Sequence, residues 1–361
     1  MIYRNFLFKT LIITLILLSL IAGFNFLVDP LQFYRKAAFY QPSFSIEQRY
    51  QNPGLARNYS YDTIIIGSSM TENFIPCYVD EKLGVRSLKL SMSGASAREE
   101  NLIIQAALNT GKVKNILWGL DYGSLKGAAD RVRNEDTPFP YYLYDQHIYN
   151  DLPYLLSITT VQSSATALKN HYQNIPPVNA NLEYLNNWGS WSKFGRDVLV
   201  KMWQDEQANR KTGVKLYDKV DGSSAAMQLS FDQNILPLIK QNPTVNFIIY
   251  YPPYSVLRYR SIYEENPELF YCELQLKRYV FAQLKDSANV KIYDFESDKN
   301  LSFNLEKYKD YSHHSTEYNE YIINSIAQQD KKYLITPQNI EPMLNDLKTQ
   351  VETLDTSKIT K

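Results

Sequence analysis

Four short stretches carry residue types suited to nucleophilic acyl chemistry: Gly67-Ser68-Ser69-Met70-Thr71, Ser93-Gly94-Ala95, Gly119-Leu120-Asp121-Tyr122, and Tyr308 to Ser315 (YKDYSHHS). In the last, Asp310 stands three residues before His313. On one turn, that aspartate can accept the imidazole Nδ1 proton and leave Nε2 free to take a proton from a hydroxyl. A serine in a tight turn at a strand end, just before a helix, presents its hydroxyl with amide groups facing a developing oxyanion. Ser69, His313 and Asp310 are therefore candidate nucleophile, base and orienting acid. Only four histidines are available, and His147 and His171 lack a serine or aspartate at useful spacing, while His314 reads as a pocket or surface residue. Plainer readings exist for each: Ser68 and Ser69 as helix caps, His313 as a surface residue, and Asp121 as an acceptor for backbone amides.

These stretches fall at the ends of expected strands. Apolar runs at 61–67, 87–92, 114–122, 245–253 and 290–295 alternate with helical patterns, up to about Gly84, then at 95–110, 265–286 and 316–329. Fully apolar strands alternating with helices indicate an α/β sandwich with a parallel central sheet covered on both faces. Ligands of such sheets bind where strands end. Residues 125–240 break the pattern and are rich in tyrosine and tryptophan, reading as an insertion of helices and loops over the mouth of the sheet. Its aromatics suit either a sugar-binding groove or the insertion's own core.

Residues 10–28 are uncharged and nearly all apolar, long enough at about 1.5 Å per residue to cross a hydrocarbon core of about 30 Å. Arg4 and Lys9 precede this run and favour a cytoplasmic segment 1–9 and an exported remainder, a bias that Arg35 and Lys36 after it weaken. A cleaved signal peptide is the alternative, but the run is longer than a signal core and no small-x-small site precedes Asp29, which favours an uncleaved anchor. Residues 29–60 read as a stalk, 61–330 as the main domain, and 331–361 as a polar tail with one helix and a frayed end. The 38 basic residues balance 38 acidic ones, which argues against a nucleic-acid partner held by a basic surface. Cys77 and Cys272 are too few for a disulfide framework or a four-cysteine zinc site. No dinucleotide, P-loop or zincin motif occurs, so neither a cofactor nor a metal is expected.

In their order, the Ser69 block, the Gly94 turn and Asp310-x-x-His313 resemble the SGNH/GDSL hydrolase family. The sequence is most similar to the membrane-anchored SGNH-like proteins of bacterial envelopes, through Val28-Asp29-Pro30, IIIGSSMT, GLDY, Pro252-Pro253-Tyr254-Ser255 and YKDYSHHS. The resemblance spans about residues 25–330 and implies an SGNH-type three-layer sandwich in a membrane-bound periplasmic or extracellular domain. It implies that Ser69 is the nucleophile, His313 the base and Asp310 its orienting partner, with the Ser69 and Gly94 amides facing the oxyanion. Ser68 replaces the usual aspartate of Gly-Asp-Ser. Asp121 stands where the family has an asparagine that donates to the oxyanion, and an ionised aspartate cannot donate. The implied activity is that of a serine esterase or O-acyltransferase, acetyl being the expected group, on a cell-envelope polysaccharide. The alternative is a non-catalytic accessory subunit of a polysaccharide assembly or modification complex, with envelope-assembly proteins as partners.

Overall fold

The computed structural model describes residues 2–134, 138–213, 215–217 and 220–359. Five strands, β1 (Thr63–Ile66), β2 (Ser87–Lys89), β3 (Asn115–Gly119), β4 (Asn246–Tyr251) and β5 (Val290–Asp294), form one sheet in the order β2-β1-β3-β4-β5. Every neighbouring pair is parallel, with Ile64 opposite Leu88 and Ile116, and Ile249 opposite Trp118 and Ile292.

Alternation along each strand sends side chains to both faces, and both are buried. On one face Ile65, Leu117, Tyr250 and Tyr293 join a cluster with Val79, Leu199, Ile322 and Ile323. On the other, the Trp118 indole donates to Glu100 of the helix Ala97–Leu108 at 2.8 Å. That helix opens with a reciprocal capping box between Ser96 and Glu99, the local signal that starts it after β2. The chain is thus an α/β protein whose sheet order reverses between β1 and β3. Crevices at such reversals are the usual ligand sites of open parallel sheets.

The element after β1 differs from the sequence reading. No helix follows β1 directly: Ser69–Thr71 is a single 3-10 turn and the α-helix begins at Pro76. Proline disfavours the α region for Ile75 before it but is well placed at the first helical position. The polar tail carries an amphipathic helix, Ile340–Glu352, that buries Ile340, Met343, Leu344, Leu347 and Val351. Both cysteines are free thiols, Cys77 exposed and Cys272 buried.

The residues divide into two compact units, Met1–Ser60 with Pro138–Leu185, and Tyr61–Thr137 with Asn186–Lys361. The interval 125–240 is therefore shared between them. In the first unit the helix Ile2–Val28 is long and apolar enough to cross a membrane, and its side chains from Phe6 to Leu20 are largely exposed, unlike those of a core helix. Residues 29–60 contain a buried helix, Gln48–Asn58, where a Cβ on Gly54 would lie 2.4 Å from the Leu31 carbonyl oxygen.

Asp29 closes this unit. Its buried carboxylate accepts the amides of Phe33 at 2.9 Å, Tyr34 at 2.8 Å and Arg35 at 3.0 Å, and the Tyr154 hydroxyl at 2.8 Å. Removing a buried acceptor leaves its donors unpaired. Asp29→Ala is expected to destabilise the unit by about 3 kcal/mol. Limited proteolysis within 138–185 in detergent checks this; cleavage no faster than in the parent protein would show that the carboxylate does not close the unit.

Candidate active site

β1 runs into Gly67, whose φ of +148° is hostile to L side chains and whose Cβ would meet Thr71 at 2.7 Å and the Gly119 carbonyl oxygen at 2.9 Å. The glycine lets the chain turn sharply between β1 and β3. Ser68 then caps the 3-10 turn, its Oγ accepting the Met70 amide at 3.3 Å. Thr71 locks the turn by donating its hydroxyl to the Ser68 carbonyl at 2.9 Å, while its Oγ1 lies in hydrogen-bond contact with Ser91 Oγ at 2.6 Å. Ser69 is left half-buried at the apex.

The Ser69 Oγ lies 2.7 Å from His313 Nε2, although 244 residues separate them. His313 Nδ1 lies 2.7 Å from Asp310 Oδ2 and 2.9 Å from Oδ1. Asp310 Oδ1 also accepts the amides of Ser312 and His313, both at 2.8 Å. Burial pushes the Asp310 carboxyl up, but the hydrogen bond and charge of His313, with those two amides, outweigh it and hold the carboxyl below its ordinary range. The ionised Asp310 fixes the proton on Nδ1, so Nε2 is the acceptor that faces Ser69.

This loop is itself held. Tyr308 bridges His314, the Lys309 amide donates to the His313 carbonyl at 3.0 Å, and Ser255 after β4 bonds the Tyr311 carbonyl through its hydroxyl at 2.7 Å and its amide at 3.1 Å. The Pro252-Pro253-Tyr254-Ser255 stretch thus positions the Asp310–His313 segment from the neighbouring strand.

Asp121 serves as an acceptor. Its Oδ2 takes the Ser68 hydroxyl proton at 2.8 Å, and its Oδ1 takes the Gly123 amide at 2.7 Å as it caps the short helix Tyr122–Leu125. It therefore ties the end of β3 to the Ser68–Ser69 turn. Gly94 lies exposed in the turn after β2 at φ +59°. The amides of Ser69 and Gly94 meet no acceptor among the described residues. His147 and His171 belong to the other unit. No cluster of metal-ligating side chains occurs among the described residues.

The site also contains a residue that the sequence did not single out. Trp188 donates its indole N–H to the Ser69 carbonyl at 3.2 Å and meets the His313 ring edge-on at 5.1 Å. The Lys309 ammonium lies 3.9 Å above the Trp188 ring. Asn73 accepts the Gly189 amide at 2.8 Å, fastening the segment around Trp188 to the serine turn. Trp188 lies within a tyrosine- and tryptophan-rich interval whose aromatics suit the insertion's own core better than a groove on sequence alone. Trp188→Phe keeps the ring but loses the bond to Ser69, so kcat on an activated ester is expected to fall about tenfold, the worth of one hydrogen bond near 1.4 kcal/mol. An unchanged kcat would make the indole a packing residue only.

His314, beside the dyad, is buried with Nδ1 3.3 Å from the Ser315 carbonyl and an unpartnered Nε2. Burial pushes it down to about 4, against a smaller opposing pull from the Ser315 carbonyl. The unfolded chain binds this proton below about pH 6.5 and the folded chain only near pH 4, so stability is full above pH 6.5 and lost as pH falls towards 4. That loss is about 3 kcal/mol. It is measured as the difference in acid sensitivity between the parent protein and His314→Asn in urea unfolding; equal sensitivity would refute it.

Neither a family model nor a curated protein matches this sequence.

Proposed function

We propose that the chain is a membrane-anchored SGNH-like serine esterase or O-acyltransferase acting on an ester of a cell-envelope polysaccharide, acetyl being the expected group. The observation that carries this reading is the unbroken series Ser69 Oγ, His313 Nε2, His313 Nδ1 and Asp310 at hydrogen-bond distances of 2.7 Å for each of its two closest links. Ser69 attacks the ester carbonyl as its proton passes to Nε2. The oxyanion faces the Ser69 and Gly94 amides, and the imidazolium is stabilised by Asp310. His313 then returns the proton to the departing alkoxide, leaving an acyl-serine. In the second half, Nε2 deprotonates water or a sugar hydroxyl, which takes the acyl group. The apolar N-terminal helix, preceded by Arg4 and Lys9, supports assigning this chemistry to the outer side of the cytoplasmic membrane.

A non-catalytic accessory role is the second reading, favoured by Asp121. Its carboxylate accepts from Ser68 and Gly123 where the family uses an asparagine donor, and loss of one oxyanion donor costs on the order of 100- to 1000-fold in turnover. A fluorophosphonate probe separates the two. A covalent adduct mapped to Ser69 supports the enzyme; a folded protein that takes no label supports the accessory subunit.

A further inference from the structure

We propose that the segment 148–158 is a second membrane contact, lying in the outer interfacial layer of the bilayer beside the anchor helix, with lipid as its occupant. The proposal rests on reading Ile2–Val28 as a membrane span. Asn25 interrupts the apolar run only three residues, about 4.5 Å, before its end at Val28. Lipid offers an amide no partner, so a polar side chain at this depth must be satisfied by protein. The Asn25 side chain donates to the Leu155 carbonyl at 2.8 Å and accepts from the Ser164 hydroxyl at 3.0 Å. Leu155 ends the single helical turn Leu152–Leu155, and Ser164 lies midway along the helix Ile158–Tyr172. Both helices pack on the last turns of the anchor. They therefore share its depth, within about 10 Å of the boundary between acyl chains and headgroups, where amphipathic elements lodge.

The side chains presented there suit that layer. Leu152 is 55% exposed and Ile158 76%, while Leu27 on the anchor itself is 65% exposed. Ile148 and Tyr149 continue the apolar stretch at 78% and 75%. Arg35 donates to the Phe26 carbonyl at 2.6 Å and lies 4.3 Å over the Phe26 ring, which sets a cation at the level of lipid phosphates. In water this would be a solvated apolar surface; its continuity with the span favours lipid.

The test uses the full chain carrying Cys77→Ser, reconstituted in phosphatidylcholine vesicles, with an environment-sensitive nitrobenzoxadiazole label on single cysteines. Leu152→Cys and Ile158→Cys are both at exposed sites. Their labels are expected to show blue-shifted emission and about twofold quenching by doxyl-labelled lipid. The same label coupled to free cysteine in the vesicle suspension is the unquenched reference. Labels at 152 and 158 that match this reference overturn the proposal. So does a blue shift without doxyl quenching, which indicates a second copy of the chain on this surface. Ile13→Cys, within the span, separates the two failures: if it too escapes quenching, the anchor reading falls, and if it alone is quenched, only the interfacial contact falls.

Discussion

Ser69→Ala is expected to abolish turnover of an activated aryl acetate, lowering kcat by on the order of 10⁴-fold or more. The hydroxyl sits at the apex of the turn after β1, 2.7 Å from His313 Nε2. The turn itself is set by Gly67, by the Ser68 cap and by the Thr71 hydroxyl bonds, so the alanine chain keeps its backbone. Thermal unfolding is therefore expected to match the parent protein while acetate release disappears. Acetate release that persists in Ser69→Ala would remove the serine from the mechanism and overturn the proposed chemistry.

Asp310→Asn gives the second largest effect, because the two carboxylate oxygens have different duties. Oδ1 is committed to the Ser312 and His313 amides, and Oδ2 faces Nδ1 at 2.7 Å. An asparagine keeps its oxygen on the amides and turns its NH₂ towards Nδ1. That forces Nδ1 to accept, moves the ring proton to Nε2 and leaves no base for Ser69. A loss of about 10⁴-fold in kcat is expected, with substrate binding little changed. The tautomer is read directly from imidazole ¹⁵N shifts. A loss under tenfold, or a proton still on Nδ1, would contradict this account of Asp310.

What could be read from sequence was mostly local. Asp310 and His313 announce themselves because three residues suffice to bring carboxylate and ring together. The strands were legible as apolar runs punctuated by Gly67 and Gly119, and their alternation with helices implied a parallel sheet. Helix starts were less secure: Pro76 delays the one after β1 until beyond the serine turn. The pairing of Ser69 with His313 rested on the order of blocks alone, since nothing local joins residues 244 apart. Trp188 was illegible because its bond to Ser69 crosses 119 residues and comes from tertiary packing. Asp121 left several readings open, because whether a carboxylate donates, accepts or turns away depends on its neighbours. Here the carboxylate accepts from the Ser68 hydroxyl and from the Gly123 amide.

The Asp29 carboxylate has a consequence in time. Tyr154 follows it by 125 residues, and a ribosome adds about 5–20 residues per second. For roughly 6–25 s after synthesis of Asp29, its fourth donor does not exist. During that interval β1, β2 and β3 are made, all between the two parts of the unit that Asp29 closes. The order of synthesis thus delivers three strands of the sheet before the unit that Asp29 closes can complete itself.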